Sequence, residues 1–424
     1  MQISQLAQRQ SEIVRSGLNG KEATGMPSIS ASSYATLNTC RRLFYYQQVL
    51  HLERAREEGA RRFGTMYHKG LEAWWRAGGA GDAPWSDQDA QLAAAVKAID
   101  ENARHVETNV YDVVLAKTMM AAYHARYASL TYERIGEGVE EWFRAPLRDA
   151  DDRVIDKWFI SGRKDAFVKL PDKFRVSIVE HKHTSSDIKP GSPYWQKLAT
   201  DMQSSMYLEG ARQANIDAAE VLYDVSAKPD CSPSRATPEE KREFTKGKGC
   251  KECGGSAGGK KGIVQGNGHV QNTNGPGSLT CDACHGTGWS EAPRLHANMR
   301  EKDETPDEFG VRVVEAIAKF PDAHFRQVSI TRNEDELANA RNNLVVAAME
   351  IDQLWRDARS RGNDDVSHPR ARDRFMQNTG ACHSMFGRQC DFLPVCSGQI
   401  PDPMESPLYQ IRSRENAKPG TVRP

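Results

Sequence analysis

Three residues near the middle of the chain have types and a spacing suited to chemistry: Asp165, Glu180 and Lys182. Glu180 and Lys182 lie two apart in FRVSIVEHK, and side chains alternate along a strand. They therefore share one face with Phe174, Val176 and Ile178. The three apolar residues point to a core, and the charged pair continues their line to the strand's end. Pro171-Asp172-Lys173 is turn-like and separates this run from WFISGRKDAFVKL, so the segment 158–182 reads as a β-hairpin. Folding about Asp172 brings Asp165 close to the stretch from Ile178 to Glu180. Two carboxylates hold a hard divalent cation through oxygen, and a nearby ammonium stabilises developing negative charge. That set suits metal-assisted hydrolysis of a phosphodiester. Taken alone it reads equally as a salt bridge at a strand end.

The surrounding elements must position these groups. Segment 30–50 reads as a capped helix with Tyr34, Leu37, Leu43 and Phe44 among its apolar positions, and it carries Cys40. Segment 61–77 is a second helix and contains His68. A Gly/Pro/Asp loop at 78–87 precedes longer helices near 88–104 and 111–134. Segment 139–147 reads as a strand leading into the hairpin, which makes a three-strand meander. A helix near 194–214 carries Gln203 and Tyr207, four apart and so on one face. A strand follows at 219–226. After the glycine-rich region come a helix near 306–320, a strand at 324–331 and a long helix at 333–360. Gly162-Arg163-Lys164-Asp165 puts a glycine where backbone can approach closely.

With these features in order, the sequence resembles the PD-(D/E)XK nuclease superfamily, in its RecB-like branch. That branch carries an upstream helix histidine, a G-x-x-D hairpin, a D/E-x-K strand and a QxxxY helix. His68, Asp165, Glu180, Lys182, Gln203 and Tyr207 match it residue by residue, with Glu180 where many relatives have Asp. The resemblance covers roughly 30–225 and resumes at about 305–400. It implies an α/β (α+β) restriction-endonuclease-like core, with a mixed central sheet flanked by helices. It also implies that Asp165 and Glu180 bind Mg²⁺ or Mn²⁺, with His68 adding a ligand. Lys182 would orient or deprotonate the attacking water, or stabilise the charge that develops. Gln203 and Tyr207 would hold the DNA strand or position Lys182. The implied activity is DNA hydrolysis, with exonuclease action in recombination, repair, or phage or CRISPR DNA processing. A non-catalytic DNA-binding or assembly protein that keeps the fold is the alternative.

Nine cysteines suggest metal ligands more than disulfides in a reducing compartment. Cys40 lies before the nuclease motifs, and Cys382, Cys390 and Cys396 follow them as C-x7-C-x5-C. Such a set ties the two ends of the domain together. RecB-like nucleases with an iron–sulphur cluster, such as the AddB nuclease and the CRISPR adaptation exonucleases, have this one-plus-three arrangement around a 4Fe-4S centre. Many of them end in C-x2-C-x5-C, whereas the first gap here is seven. Zinc is the competing metal, since four thiolates suit both.

Cys250-Lys-Glu-Cys253 and Cys281-Asp-Ala-Cys284 are two C-x2-C pairs separated by 27 residues, the spacing of a tetrahedral Zn²⁺ site. CDACHGTG resembles a half-repeat of the DnaJ zinc finger, while CKECGGSAG departs from it after the second cysteine. His285 could compete as a ligand, and Cys231 is left over as a free thiol. The finger could grip DNA with Lys246, Lys248, Lys251, Lys260 and Lys261, or bind a protein partner, or the lysines could simply face solvent. His181 and His183 flank Lys182 on the opposite face and read as strand-end residues.

The organisation that follows is a polar segment at 1–29, a nuclease core at 30–226 and 301–400, a zinc-binding insert at 227–300, and a flexible tail at 401–424. Thirteen of the 33 glycines lie between Gly247 and Gly288, and no helix or strand period survives there. Lys+Arg and Asp+Glu both number 57, so contact with DNA must come from a local patch rather than from bulk charge. The N-terminal residues lack the apolar core of a signal peptide, and no apolar run is long enough to span a bilayer. A soluble, intracellular protein is expected. A GxxxxGK[ST] loop is absent, which speaks against an ATP-driven motor in the chain, so the protein is expected to work on DNA alone or with a separate helicase or recombination protein.

Overall fold

The computed structural model describes residues 27–55, 59–78, 88–105, 108–130, 132–135, 139–170, 175–254, 269–271, 278–362, 365, 368–383 and 389–412. The turn at 171–173 and Phe174, most of the 78–87 loop, Lys260, Lys261, most of the N-terminal segment and the end of the tail lie outside them. The chain forms two compact units, one from residues up to 229 and from 314 onward, the other from 230–313.

In the larger unit, β1 (Ser28–Ser30) leads into α1 (Ala31–Thr39), and β2 (Leu52–Arg54) precedes α2 (Gly59–Ala77), α3 (Gln88–His105) and α4 (Val110–Tyr127). The strands β3 (Glu133–Arg134), β4 (Glu141–Arg148), β5 (Val154–Lys164), β6 (Ala166–Lys169) and β7 (Val176–Thr184) follow. Then come α5 (Pro193–Ala199), α6 (Met202–Gln213), β8 (Ala218–Ala227), β9 (Phe325–Ile330), α7 (Glu334–Gly362) and β10 (Tyr409–Ile411). A five-stranded mixed sheet has the order β9-β8-β7-β6-β3, and a three-stranded sheet has the order β1-β5-β4. The architecture is the mixed α/β, restriction-endonuclease-like one.

The structure changes four sequence expectations. The first run of the hairpin is two strands, because the chain bends at Asp165 and passes from the three-stranded sheet to the five-stranded one. Only β6 pairs with β7, with Ala166 opposite Val179 and Phe167 opposite Ile178. The meander is correspondingly split, with β4 and β5 antiparallel in one sheet and β6 and β7 in the other. Helix 30–50 is broken at Cys40, which takes an extended conformation (φ −166°) between α1 and a short turn at Arg41–Phe44. Helix 194–214 is likewise two helices, because Asp201 is extended and caps α6, its carboxylate accepting from the Gln203 N–H at 3.0 Å.

β7 and β8 are parallel, so a crossover must join them, and α5 with α6 supply it. Those helices cover one face of the sheet. Trp195, Leu198, Tyr207 and Leu208 pack there on Phe167, Ile178, Val221 and Tyr223. α2 buries Phe63, Met66, Tyr67, Leu71, Trp74 and Trp75, which recur at three- and four-residue steps and so form a single apolar stripe. Trp75 and Tyr123 carry polar ends inward, the indole N–H donating to the phenol oxygen at 3.1 Å. A further core joins the start of the chain to its end. Tyr46, Phe392 and Tyr409 stack in sequence, and β10 pairs with β2.

In the smaller unit the four cysteines Cys250, Cys253, Cys281 and Cys284 are themselves a buried cluster, with Val270 against it. Lys248–Gly249 pairs with Trp289–Glu291, and His269–Gln271 with Ser278–Thr280. These strands are two or three residues long, too short to leave a periodicity in the sequence. Glu304, 2 % exposed, accepts from the Ser234 N–H and from Arg312, each at 2.7 Å, and ties the unit's two ends together.

Glu209 of α6 and Arg341 of α7 form an ion pair at 3.1 Å, their side chains 4 % and 7 % exposed. Losing one partner of such a pair leaves a buried charge. Arg341→Met is therefore expected to cost about 3 kcal/mol, read from the urea midpoint. Glu209 Oε1 keeps Arg212 at 2.9 Å and Gln213 at 2.8 Å, so adding Glu209→Met should recover only the part of that loss that comes from the unpaired Oε2.

Candidate active site

β7 ends in a cavity of about 1090 Å³, lined by α2, the start of α1, the β4–β5 strands and α6. Asp165, Glu180, Lys182, Gln203, Tyr207 and His68 all face it. The alternation of β7 places Glu180 and Lys182 on the same side as Ile178, under α6. The bend at Asp165 brings that residue beside them, one step beyond the Ala166–Val179 pair.

Hydrogen bonds hold the set closely. The Lys182 ammonium donates to Glu180 Oε1 at 2.6 Å and to Gln203 Oε1 at 2.7 Å. Gln203 Nε2 donates to Glu180 Oε1 and to the Tyr207 oxygen, both at 2.7 Å. Tyr207 donates in turn to the Arg163 carbonyl. The Asp165 carboxylate accepts the main-chain N–H of His181. Gln203 and Tyr207 therefore position the Glu180–Lys182 pair from the neighbouring helix.

The electrostatics follow from burial. Asp165 is 7 % exposed and Glu180 6 %. Burial, and then the Glu180 charge, push the Asp165 carboxyl well above its usual range. Burial alone would lower Lys182, but the Glu180 carboxylate outweighs it and holds the ammonium charged. His68 is pulled down to about 3 by burial and by the neighbouring His181, His183 and Lys182, which keeps its ring neutral, the form that ligates metal. Concentrated negative charge with little water to stabilise it, beside a neutral imidazole, is a donor set that fits a hard divalent cation.

Two acidic residues were missed in the sequence reading. Glu140 lines the cavity, bonds the Arg163 guanidinium at 2.5 Å and donates its N–H to the Asp165 carbonyl at 2.9 Å. Asp224 lies on β8 beside His181 in register, with 3.1 Å between His181 Nδ1 and Asp224 Oδ2. Tyr123 donates to the same carboxylate, and the Trp75 ring packs on His181. His181 is thus no loose strand-end residue: it is 4 % exposed in a polar network beneath Asp165. His183 packs on Phe63 and Tyr67 and is lowered to about 4 by burial and by Lys228. No spacing in the sequence marks Glu140 or Asp224, since both depend on pairing between strands.

The two cysteine sets differ. Cys250, Cys253, Cys281 and Cys284 are, among the described residues, the one group of candidate ligand atoms all within 4.8 Å of one another. The Cys250–Cys281 and Cys253–Cys284 sulphurs are 3.8 and 3.6 Å apart. A tetrahedron with metal–thiolate bonds of about 2.3 Å has edges of roughly 3.8 Å, so these fit a single ion. Burial pushes Cys284 up, but the Gly288 N–H and the neighbouring thiols pull it down to about 7. Gly254 and Gly288 adopt positive φ after the C-x2-C pairs, and the Gly288 N–H donates to Cys284 Sγ at 3.3 Å. His285 is exposed and Cys231 stands apart from the group.

Cys40, Cys382, Cys390 and Cys396 share a neighbourhood more loosely. The charges of Cys40 and Cys382 both act on Cys390 and Cys396, whose thiols burial already pushes up. Asn378 N–H points at Cys40 Sγ, 3.3 Å away, and Cys390 N–H bonds the Cys382 carbonyl at 2.9 Å.

Gly162 is where the site meets the core. A Cβ there would lie 2.6 Å from the Phe143 ring and 2.8 Å from the Tyr207 ring. Gly162→Ala is expected to move Tyr207 off Gln203 and to lower metal-dependent DNA cleavage roughly tenfold or more. Gly59→Ala, which meets nothing within 4 Å, should leave it unchanged in the same assay.

Comparison with known proteins agrees with this arrangement at the level of family. No curated protein sequence matches the chain. A solved structure titled "Crystal structure of SSO0001" aligns at 12 % identity over 55 % of this chain and 74 % of that one. Its TM-score of 0.20 is too low to carry an argument. Residues 28–397 match the PD-(D/E)XK nuclease superfamily. That match spans both halves of the larger unit and every residue of the cleft set, and the chain belongs to the PD-(D/E)XK nuclease superfamily.

Proposed function

We propose that this protein is a divalent-metal-dependent deoxyribonuclease of the RecB-like branch, acting from DNA ends as an exonuclease. The observation that carries the reading is the meeting of Asp165, Glu180, Lys182, Gln203, Tyr207 and His68 in one cavity, in a chain of the nuclease superfamily. Asp165, Glu180 and His68 would hold Mg²⁺ or Mn²⁺. Bound there, the cation supplies a polarised phosphoryl oxygen and a water acidic enough to attack. Lys182 presents its ammonium where charge builds on phosphorus. Gln203 fixes that ammonium against Glu180, and Tyr207 fixes Gln203.

The remaining metals belong to the same proposal. Cys250, Cys253, Cys281 and Cys284 hold Zn²⁺, since a single ion suits their spacing and the small unit has few other apolar side chains around them. Cys40, Cys382, Cys390 and Cys396 hold a 4Fe-4S cluster that links the start of the domain to its end. DNA is the substrate. Recombination, repair, or phage or CRISPR DNA processing is the setting, with a separate helicase or recombination protein as the companion. No described helix is long and apolar enough to cross a membrane.

The test is degradation of end-labelled linear DNA and of circular DNA with Mg²⁺ or Mn²⁺. Wild type should shorten linear DNA and spare covalently closed circles. Asp165→Ala and Lys182→Ala should each lose about 100-fold or more. Wild type without activity in either metal, or variants as active as wild type, would leave a non-catalytic DNA-binding or assembly protein as the reading. For the metals, anaerobically purified protein is expected to show broad visible absorbance that dithionite bleaches, lost in Cys390→Ser, and about one zinc per chain, lost in Cys281→Ser. A colourless wild type holding zinc at both sites would remove the cluster.

A further inference from the structure

We infer that Trp142 is a stacking platform for an unpaired nucleobase, so that the cleft prefers single-stranded DNA or an unpaired end to an intact duplex. This rests on the nuclease reading for the chemistry, but the platform is argued from its own geometry. On β4 the side chains alternate. Phe143 turns inward, edge-on to the Tyr207 ring with centroids 5.7 Å apart, in space left by Gly162 and Gly210. Its neighbour Trp142 therefore emerges on the other face, in the cavity that holds Asp165 and Lys182. The indole is 38 % exposed there.

Its position is fixed by the strand pair. Trp142 lies directly across from Arg163, and the guanidinium sits 5.7 Å from the ring centroid. Arg163 is in turn bound to Glu140 at 2.5 Å. Arg163 precedes Asp165 by two residues, and Glu140 precedes Trp142 by two while bonding the Asp165 carbonyl. The ring thus belongs to the same short stretch of backbone that places the metal-binding carboxylate.

A large aromatic surface in a polar, open cavity is not explained by core packing. Its flat face is chemically matched to a base, because every base offers a π-face and stacking tolerates any sequence. In the interior of a duplex those faces are already taken by neighbouring bases, and only the terminal pair leaves one open. An unpaired base offers a face at every position and can lie on the indole, with its adjoining phosphate near Arg163. Trp142 is accordingly a specificity-determining residue, distinct from the groups that act on the phosphodiester.

The experiment measures binding without cleavage. Fluorescein-labelled oligo(dT), a strand of abasic residues of equal length, and a covalently closed circular duplex are titrated in EDTA with wild type, Trp142→Ala and Trp142→Phe. Trp142→Ala should weaken oligo(dT) binding about 5- to 100-fold and leave the abasic strand and the duplex within about twofold. Trp142→Phe should keep most of the affinity. With Mg²⁺ the loss should appear in KM for single strands and leave kcat nearly unchanged. Equal losses on all three probes, no loss on oligo(dT), or no binding of oligo(dT) by wild type would overturn the platform. The two readings separate cleanly. Trp142-dependent binding without Mg²⁺-dependent cleavage defeats the nuclease assignment alone, and cleavage indifferent to Trp142 defeats the platform alone.

Discussion

At Asp165 the chain leaves one sheet for another, and its carboxylate accepts the main-chain N–H of His181 on the strand it is about to pair with. That bond is the constraint on which the rest of the cleft depends. A carboxylate 7 % exposed must be hydrogen-bonded, paired or protonated. Here the bond to β7 fixes the carboxylate beside Glu180. The carbonyl of the same residue accepts from Glu140. Two residues earlier the Arg163 carbonyl accepts from Tyr207, which ends the chain of bonds running through Gln203 to Lys182. One bend thus sets the placement of groups from β4, β7 and α6.

Such a site is costly to the fold. It gathers carboxylates and an ammonium where water is scarce, and places them over a polar layer of His181, Asp224 and Tyr123 rather than over hydrocarbon. The compensation is spatially separate. Tyr45, Tyr46, Ile351, Trp355, Phe375 and Phe392 build a core in which α7 packs with segments from the two ends of the chain. The ends of the domain are therefore joined by aromatic packing and by the β2–β10 pairing. Iron–sulphur ligation, as proposed, would reinforce a closure that packing already makes.

The smaller unit follows a different rule. Its buried cluster is four thiols and one partly buried valine, and its strands are two or three residues long. Among the described residues, strands this short place few apolar side chains around the thiols. Metal binding, as proposed, would do the work that a core does elsewhere, while the Glu304–Arg312 pair closes its ends.

Much of this was legible in the amino-acid sequence. The period of two in FRVSIVEHK put Glu180 and Lys182 on one face, because strand geometry leaves no other choice. The four-residue spacing of Gln203 and Tyr207 put both on one side of a helix. The C-x2-C pairs brought together four residues whose sulphurs are now seen in one cluster. Apart from the meeting of the two C-x2-C pairs, these are relations among near neighbours, which local backbone geometry determines. What the tertiary structure decided are relations among strands and helices distant in the chain. The break at Asp165, the split at Cys40, the meeting of His181 with Asp224, the approach of Glu140 to Asp165, and the pairing of Trp142 with Arg163 all depend on register and packing. No residue spacing records them, because the partners are chosen by which faces are buried together.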